Sequence, residues 1–137
     1  MSIAKLVRRA VETVPPHATC TEAARRMRDA DVGSVIVVEG GRPLGILTDR
    51  DLVVRVLAAG QDPEKLAVGD VMSHKPIFVL QTRDVATVLE LMRDLAIRRI
   101  PVVDEDHKLV GVVALDDVIL ALSSELAAVA ETIRKEM

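Results

Sequence analysis

Aromatic residues are almost missing from this 137-residue chain, which has one Phe and neither Tyr nor Trp. Its core must therefore be aliphatic, and the chain lacks a base-stacking surface for single-stranded nucleic acid. Cysteine is equally scarce: the single Cys20 rules out an internal disulfide. There is no excess of basic residues either. The net charge of −3 disfavours general nucleic-acid binding, which depends on neutralising phosphates. No apolar run is long enough to span a bilayer. Residues 1–14 carry charges throughout instead of an apolar signal core. These absences predict a soluble cytoplasmic protein that binds neither nucleic acid nor membrane.

Half of the residues are hydrophobic, which is enough for a substantial core of Val, Leu, Ile, Ala and Met. The basic residues fall in clusters, Arg8-Arg9, Arg25-Arg26-Arg28 and Arg98-Arg99, so a small anionic ligand remains open. The dominant feature is an internal repeat. Met27-Arg28-Asp29 returns as Met92-Arg93-Asp94, Val37-Val38 as Val102-Val103, and Leu44 as Leu109, all 65 positions on. Gly45 and Asp51 return as Gly111 and Asp117, 66 positions on, which places one inserted residue near Val110. A repeat of this length is one supersecondary unit used twice.

In the first copy, Thr19 followed by Glu22 is a capping-box pattern, and Ala23, Ala24 and Met27 share a face, so residues 19–30 are expected to be helical. Ser34 to Val38 reads as a buried strand, residues 39–42 as a hairpin turn, and Leu44 to Leu47 as the return strand. A second helix opens at Thr48 and runs to about Ala59. The second copy repeats the order: Val85, Val88, Leu89 and Met92 on one helical face, a strand over 100–103, a turn over 104–107, a return strand over 109–113, and a helix from Asp116. Extended segments at 12–14 and 77–80 precede each first helix. Each unit is roughly β-α-β-β-α, with residues 3–57 mapping onto 68–122. The fold class is α/β (α+β): unit one over 3–60, a polar connector over 61–67, unit two over 68–122, and a C-terminal helical extension over 123–137. Either unit alone buries too little surface, so the two pack together and create two pseudo-equivalent clefts. In the extension, Leu122, Leu126, Val129 and Ile133 form a helical stripe that either packs on the protein's own body or forms a dimer contact.

The sharpest local signal is residues 45–52, Gly-Ile-Leu-Thr-Asp-Arg-Asp-Leu, where a buried strand runs into a helix. Thr48 and Asp51 have capping-box spacing, and acids favour a helix N-terminus. The same geometry can hold a nucleotide. Free N–H groups there meet phosphate, and a carboxylate can accept hydrogen bonds from the ribose hydroxyls. The second copy has Gly111, Ala114 and Asp117 in the corresponding places.

The duplicated unit resembles a tandem pair of cystathionine-β-synthase-type (CBS) domains, also called a Bateman module. The matching pieces are Gly45-x-x-Thr48-x-x-Asp51, Asp70-Val71-Met72-Ser73, and Arg98-Arg99-Ile100-Pro101-Val102-Val103-Asp104. The resemblance covers all but the C-terminal helix. It implies a regulatory module that binds AMP, ADP, ATP, S-adenosylmethionine or NAD between its two motifs and signals to a separate effector protein. It also implies a homodimer. By the same resemblance Asp51 and Asp117 hold the ribose, Thr48 contacts phosphate, and Arg98 and Arg99 contact phosphates. The Asp51 cleft would draw on Met72, Ser73, Ile77 and Ile97, and the Asp117 cleft on Val11, Val14, Val32 and Gly33. The copies differ where it matters. Ala114 lacks the hydroxyl of Thr48, and Gly33-Ser34 stand where the second copy has Arg98-Arg99. On these grounds the Asp51 cleft is expected to be the better site.

Other residues carry less. Cys20 is expected to be a quiet, partly buried thiol, with a redox sensor as the alternative. His17, His74 and His107 have no metal-ligand spacing, and no metal is expected. No nucleophile or base has an orienting partner, so no enzyme is expected. Two other readings stand beside the nucleotide sensor: an interaction module with empty clefts, and a redox or metal sensor using Cys20 and the histidines.

Overall fold

Local chemistry sets the elements of the first copy in the computed structural model, which describes residues 1–73 and 77–137. Thr19 Oγ1 accepts from Glu22 N at 3.1 Å while the Glu22 carboxylate accepts from Thr19 N at 3.3 Å, so both halves of the capping box form. Helix α1 (Cys20–Ala30) starts there and ends at Asp31, whose left-handed φ of 54° turns the chain out. The β-branched run becomes strand β2 (Ser34–Glu39). Gly40 and Gly41, with φ of 59° and 80°, supply the successive positive dihedrals of a tight hairpin. Strand β3 (Arg42–Thr48) returns antiparallel, and β1 (Thr13–Val14) pairs parallel on the other edge of β2. Helix α2 (Asp49–Asp51) widens into a π-helical stretch over Leu52–Leu57.

The second copy repeats this order after α3 (Val68–Val71): β4 (Val79–Leu80), α4 (Val85–Leu95), β5 (Arg99–Val103), β6 (Leu109–Ala114) and α5 (Leu115–Glu136). Each copy is a three-stranded mixed sheet, in order β1-β2-β3 or β4-β5-β6.

Register corrects the position of the inserted residue. Val38 pairs with Pro43 and Val103 with Leu109, and in both hairpins the register shifts just before the paired glycine. The structural partner of Leu44 is therefore Val110, not Leu109. The extra residue lies in the second hairpin's loop. There the Asp104 carboxylate accepts from the N–H groups of Asp106 and Lys108, and His107 takes a φ of 62°.

The two copies exchange their opening turns. Ile3, in a short 3-10 turn (Ile3–Lys5), is fully buried in the second copy's core beside Val88, Met92 and Ile100. Val68, Val71 and Met72 are buried in the first copy's core beside Ala23, Met27 and Leu47. Each core is therefore completed by the other copy. No polar side chain is buried among the described residues, as an aliphatic core requires.

Helix α5 runs unbroken past the body. Leu122, Leu126, Val129 and Ile133 are between 38% and 70% exposed, so the stripe does not pack on its own domain.

Candidate functional site

Two helix N-termini face the junction between the copies. The carbonyl of Gly33 accepts from Asp49 N at 2.9 Å, and that of Arg98 accepts from Leu115 N at 2.8 Å, so the pseudo-two-fold holds at the level of single hydrogen bonds. The glycine that ends each cleft strand is required by a close crossing. A Cβ on Gly45 would lie 2.6 Å from the Ser73 carbonyl oxygen and 2.7 Å from Met72 Sδ. A Cβ on Gly111 would collide with the Arg8 carbonyl and meet Val7 Cγ1 at 2.6 Å. Ser73 N donates to the Ile46 carbonyl at 3.2 Å, and Arg8 N donates to that of Val112 at 2.8 Å. Arg8 is thus the positional counterpart of Ser73.

The two acidic residues have different partners. Thr48 Oγ1 accepts from Asp51 N at 3.1 Å, and Asp51 Oδ2 accepts from Thr48 N at 2.9 Å, the full capping box. Arg55 lies 3.6 Å from Asp51 Oδ1. In the second copy Ala114 has no hydroxyl and α5 has no side-chain cap. The Asp117 carboxylate instead receives Arg8 in a two-pronged ion pair, Nε to Oδ2 at 2.6 Å and NH2 to Oδ1 at 2.7 Å. Asp117 is 19% exposed and Arg8 64%. The hydrogen bond from Arg8, followed by the charge of Asp117, raises the guanidinium above its already high pKa, so Arg8 is always cationic.

A cavity of about 360 Å³ opens between the copies on this side. Val11, Val32 and Gly33 line it from the first copy, Arg99, Val112 and Ala114 from the second, and Arg8 stands at its edge. Its room comes from small side chains: Gly33 and Ser34 stand opposite the arginine pair, and Ala30 and Ala114 leave the floor open. Arg99 NH1 donates to Ser34 Oγ at 3.4 Å across the pseudo-two-fold. Arg98 points elsewhere, donating to Asp116 at 3.2 Å with both partners largely exposed, a pair of little energetic weight.

The sequence favours the Asp51 cleft, whereas this cavity is lined by Val11, Val32 and Gly33 of the Asp117 side; Asp117 itself does not line it, and Arg8 borders both. Of the residues assigned to the Asp51 side, Met72 is core and Ser73 lies over Gly45, while Ile77 and Ile97 pack against the second core. His74 lies outside the described residues. Val14, assigned to the Asp117 cleft, is buried in the first core and does not line the cavity. Arg8 was missed by sequence reasoning. Its signal was available, since Arg8 stands in the same register as Ser73 within the repeat.

Cys20 is fully buried, and that burial, with a smaller effect from Asp70, pushes its thiol pKa up. A redox sensor needs the opposite. Among the described residues no three His, Cys, Asp or Glu side chains converge as a metal site, and no helix is long and apolar enough to cross a membrane.

Comparison with known proteins agrees with this fold. The CBS domain family model matches residues 3–58 and 68–124. The CBS domain-containing protein YhcV of Bacillus subtilis is 40% identical over 123 residues, spanning 89% of this chain and 86% of the relative. The CBS domain protein PAE2072 from Pyrobaculum aerophilum, solved in complex with AMP, superposes with a TM-score of 0.80 at 28% identity, covering 93% of this chain and 99% of its own. Hypoxic Response Protein I, solved with two coordinated zinc ions, superposes with a TM-score of 0.79 at 33% identity, covering 87% and 97%. With two family matches in tandem and the same α/β architecture as these solved structures, the chain belongs to the CBS-domain family as a pair of CBS domains forming one regulatory module.

Proposed function

We propose that this CBS pair is a non-catalytic sensor of an adenosine-containing ligand, bound in the cavity beside Asp117. The observation that carries the reading is the cavity itself. Its volume suits a small ligand, and apolar walls, the cations Arg8 and Arg99, the acids Glu12 and Asp31, and the start of α5 at Ala114 converge there. Val11 and Val32 flank the base, Gly33 permits close approach, Asp117 accepts from the ribose hydroxyls and Arg99 neutralises phosphate. AMP, ADP, ATP, S-adenosylmethionine and NAD are the candidates, and the AMP complex of the Pyrobaculum relative supports the adenosyl class. The pseudo-equivalent second site would use Thr48, Asp51, Ser73 and Arg98, while Met72, Ile77 and Ile97 pack in the two cores behind it. The exposed apolar residues Val53, Val54, Ile119 and Leu120 and the α5 stripe support a homodimer, and a sensor of this kind would act on a separate effector protein. Ligand occupancy alters that output only through different affinity for two states of the module.

Calorimetry against AMP, ATP, S-adenosylmethionine and NAD tests the proposal. Binding that Asp117→Asn abolishes supports it. No heat with any of the four at millimolar ligand sinks it.

A second reading, an interaction module without a ligand, is favoured by one observation: both ribose-type carboxylates already have protein partners, Thr48 for Asp51 and Arg8 for Asp117. A pull-down partner whose capture is indifferent to every nucleotide would select it.

A further inference from the structure

Asp117 does not itself line the cavity: Arg8, which does, stands against it and takes up both carboxylate oxygens on that side. In the first copy Ser73 occupies the corresponding position over Gly45, and among the described residues the cation paired with Asp51 is Arg55, at the longer distance of 3.6 Å. Arg8 is anchored by its backbone, through two hydrogen bonds with Val112, and its side chain is largely exposed. The side chain can therefore swing without disturbing the strand contact. It borders the cavity that Arg99 also lines, so a guanidinium displaced from Asp117 remains within that cavity's rim.

We propose that Arg8 is a specificity latch: it closes Asp117 in the free protein and releases it only to a ligand whose phosphate takes over the guanidinium. The inference rests on the adenosyl-ligand reading of this cleft and adds the ligand class. A neutral nucleoside would have to break a two-pronged ion pair and leave the guanidinium without its carboxylate. A nucleoside phosphate exchanges one anionic partner of Arg8 for another, since guanidinium forms two-pronged pairs with carboxylate and with phosphate oxygens. The site should therefore select adenosine phosphates over adenosine.

The test is equilibrium binding of adenosine and AMP to the full chain and to its Arg8→Ala and Arg8→Lys variants. Wild type should prefer AMP. Arg8→Ala should weaken AMP about tenfold and tighten adenosine, while Arg8→Lys, which keeps the charge without the two-pronged fit, should fall between. A thermal melt checks that each variant is folded. If both ligands shift by the same factor in Arg8→Ala, or neither shifts, the latch is overturned while the binding site stands. If neither ligand binds wild type or Arg8→Ala, the latch and the cleft reading fall together.

Discussion

Ser34 and Arg99 hold the same position in the two copies, 65 residues apart, and they touch: Arg99 NH1 donates to Ser34 Oγ at 3.4 Å. The pseudo-two-fold axis therefore passes between them, and the cavity beside it exists because one of the pair is small. Two arginines at this position would place like charges face to face.

Ser34→Arg tests that asymmetry. The new guanidinium would fill the cavity and oppose Arg99, costing about 1 kcal/mol at low salt. The melting temperature should fall in dilute buffer and recover with added sodium chloride. A loss insensitive to salt would point to steric overlap instead.

Gly111→Ala should destabilise the fold by about 1–3 kcal/mol, because its Cβ meets Val7 and the Arg8 carbonyl at the crossing of the N-terminal segment. Gly40→Ala, with open space around it, should lose only the turn preference of its positive φ. Urea melts of both variants make the comparison, and equal losses would contradict it.

Native Cys20 should resist a thiol reagent until the protein unfolds, since it is fully buried. Its raised pKa also has a stability sign. The folded state keeps the proton longer than the unfolded chain does. Stability is thus complete below the ordinary thiol value of about 8.5 and falls as pH rises from there through the raised folded value. Cys20→Ala should flatten that alkaline decline in melts taken across the range.

Asp84 caps α4, and hydrogen bonds from the Thr87 side chain and backbone N–H hold its carboxyl below the usual value. A depressed folded pKa contributes stability above the unfolded value of about 3.9 and loses it as pH falls through the folded value. Asp84→Asn should therefore be less stable than wild type at neutral pH, with the gap closing in acid. A gap constant with pH would mean the charge is not involved.

Leu126→Glu with Val129→Glu should leave the melting temperature of the body nearly unchanged, because both side chains project from α5 into solvent. If α5 mediates self-association, sedimentation should show the change from dimer to monomer. A dimer that survives would place the interface elsewhere.

The elements were legible where their causes are local. Thr19 and Glu22 announced α1, and Gly40-Gly41 announced the first hairpin, because caps and turns involve residues within a few positions of one another. Val11, Val32, Gly33 and Arg99, named from the repeat and the family pattern, do meet around one cavity. Val14 did not join them, since a two-residue strand turned its side chain into the core. The inserted residue was misplaced by one hairpin feature because a β-bulge hides register from a linear alignment.

The sequence alone determined the duplicated α/β unit, the aliphatic core and the unequal pair Thr48 and Ala114, all of which follow from residue type and spacing. Only the tertiary structure decided that Ile3 and Val68 complete each other's cores, that the α5 stripe faces solvent, and that Arg8 closes Asp117. Those outcomes depend on contacts between segments far apart in the chain. Spacing carries no information about them until the two copies are packed.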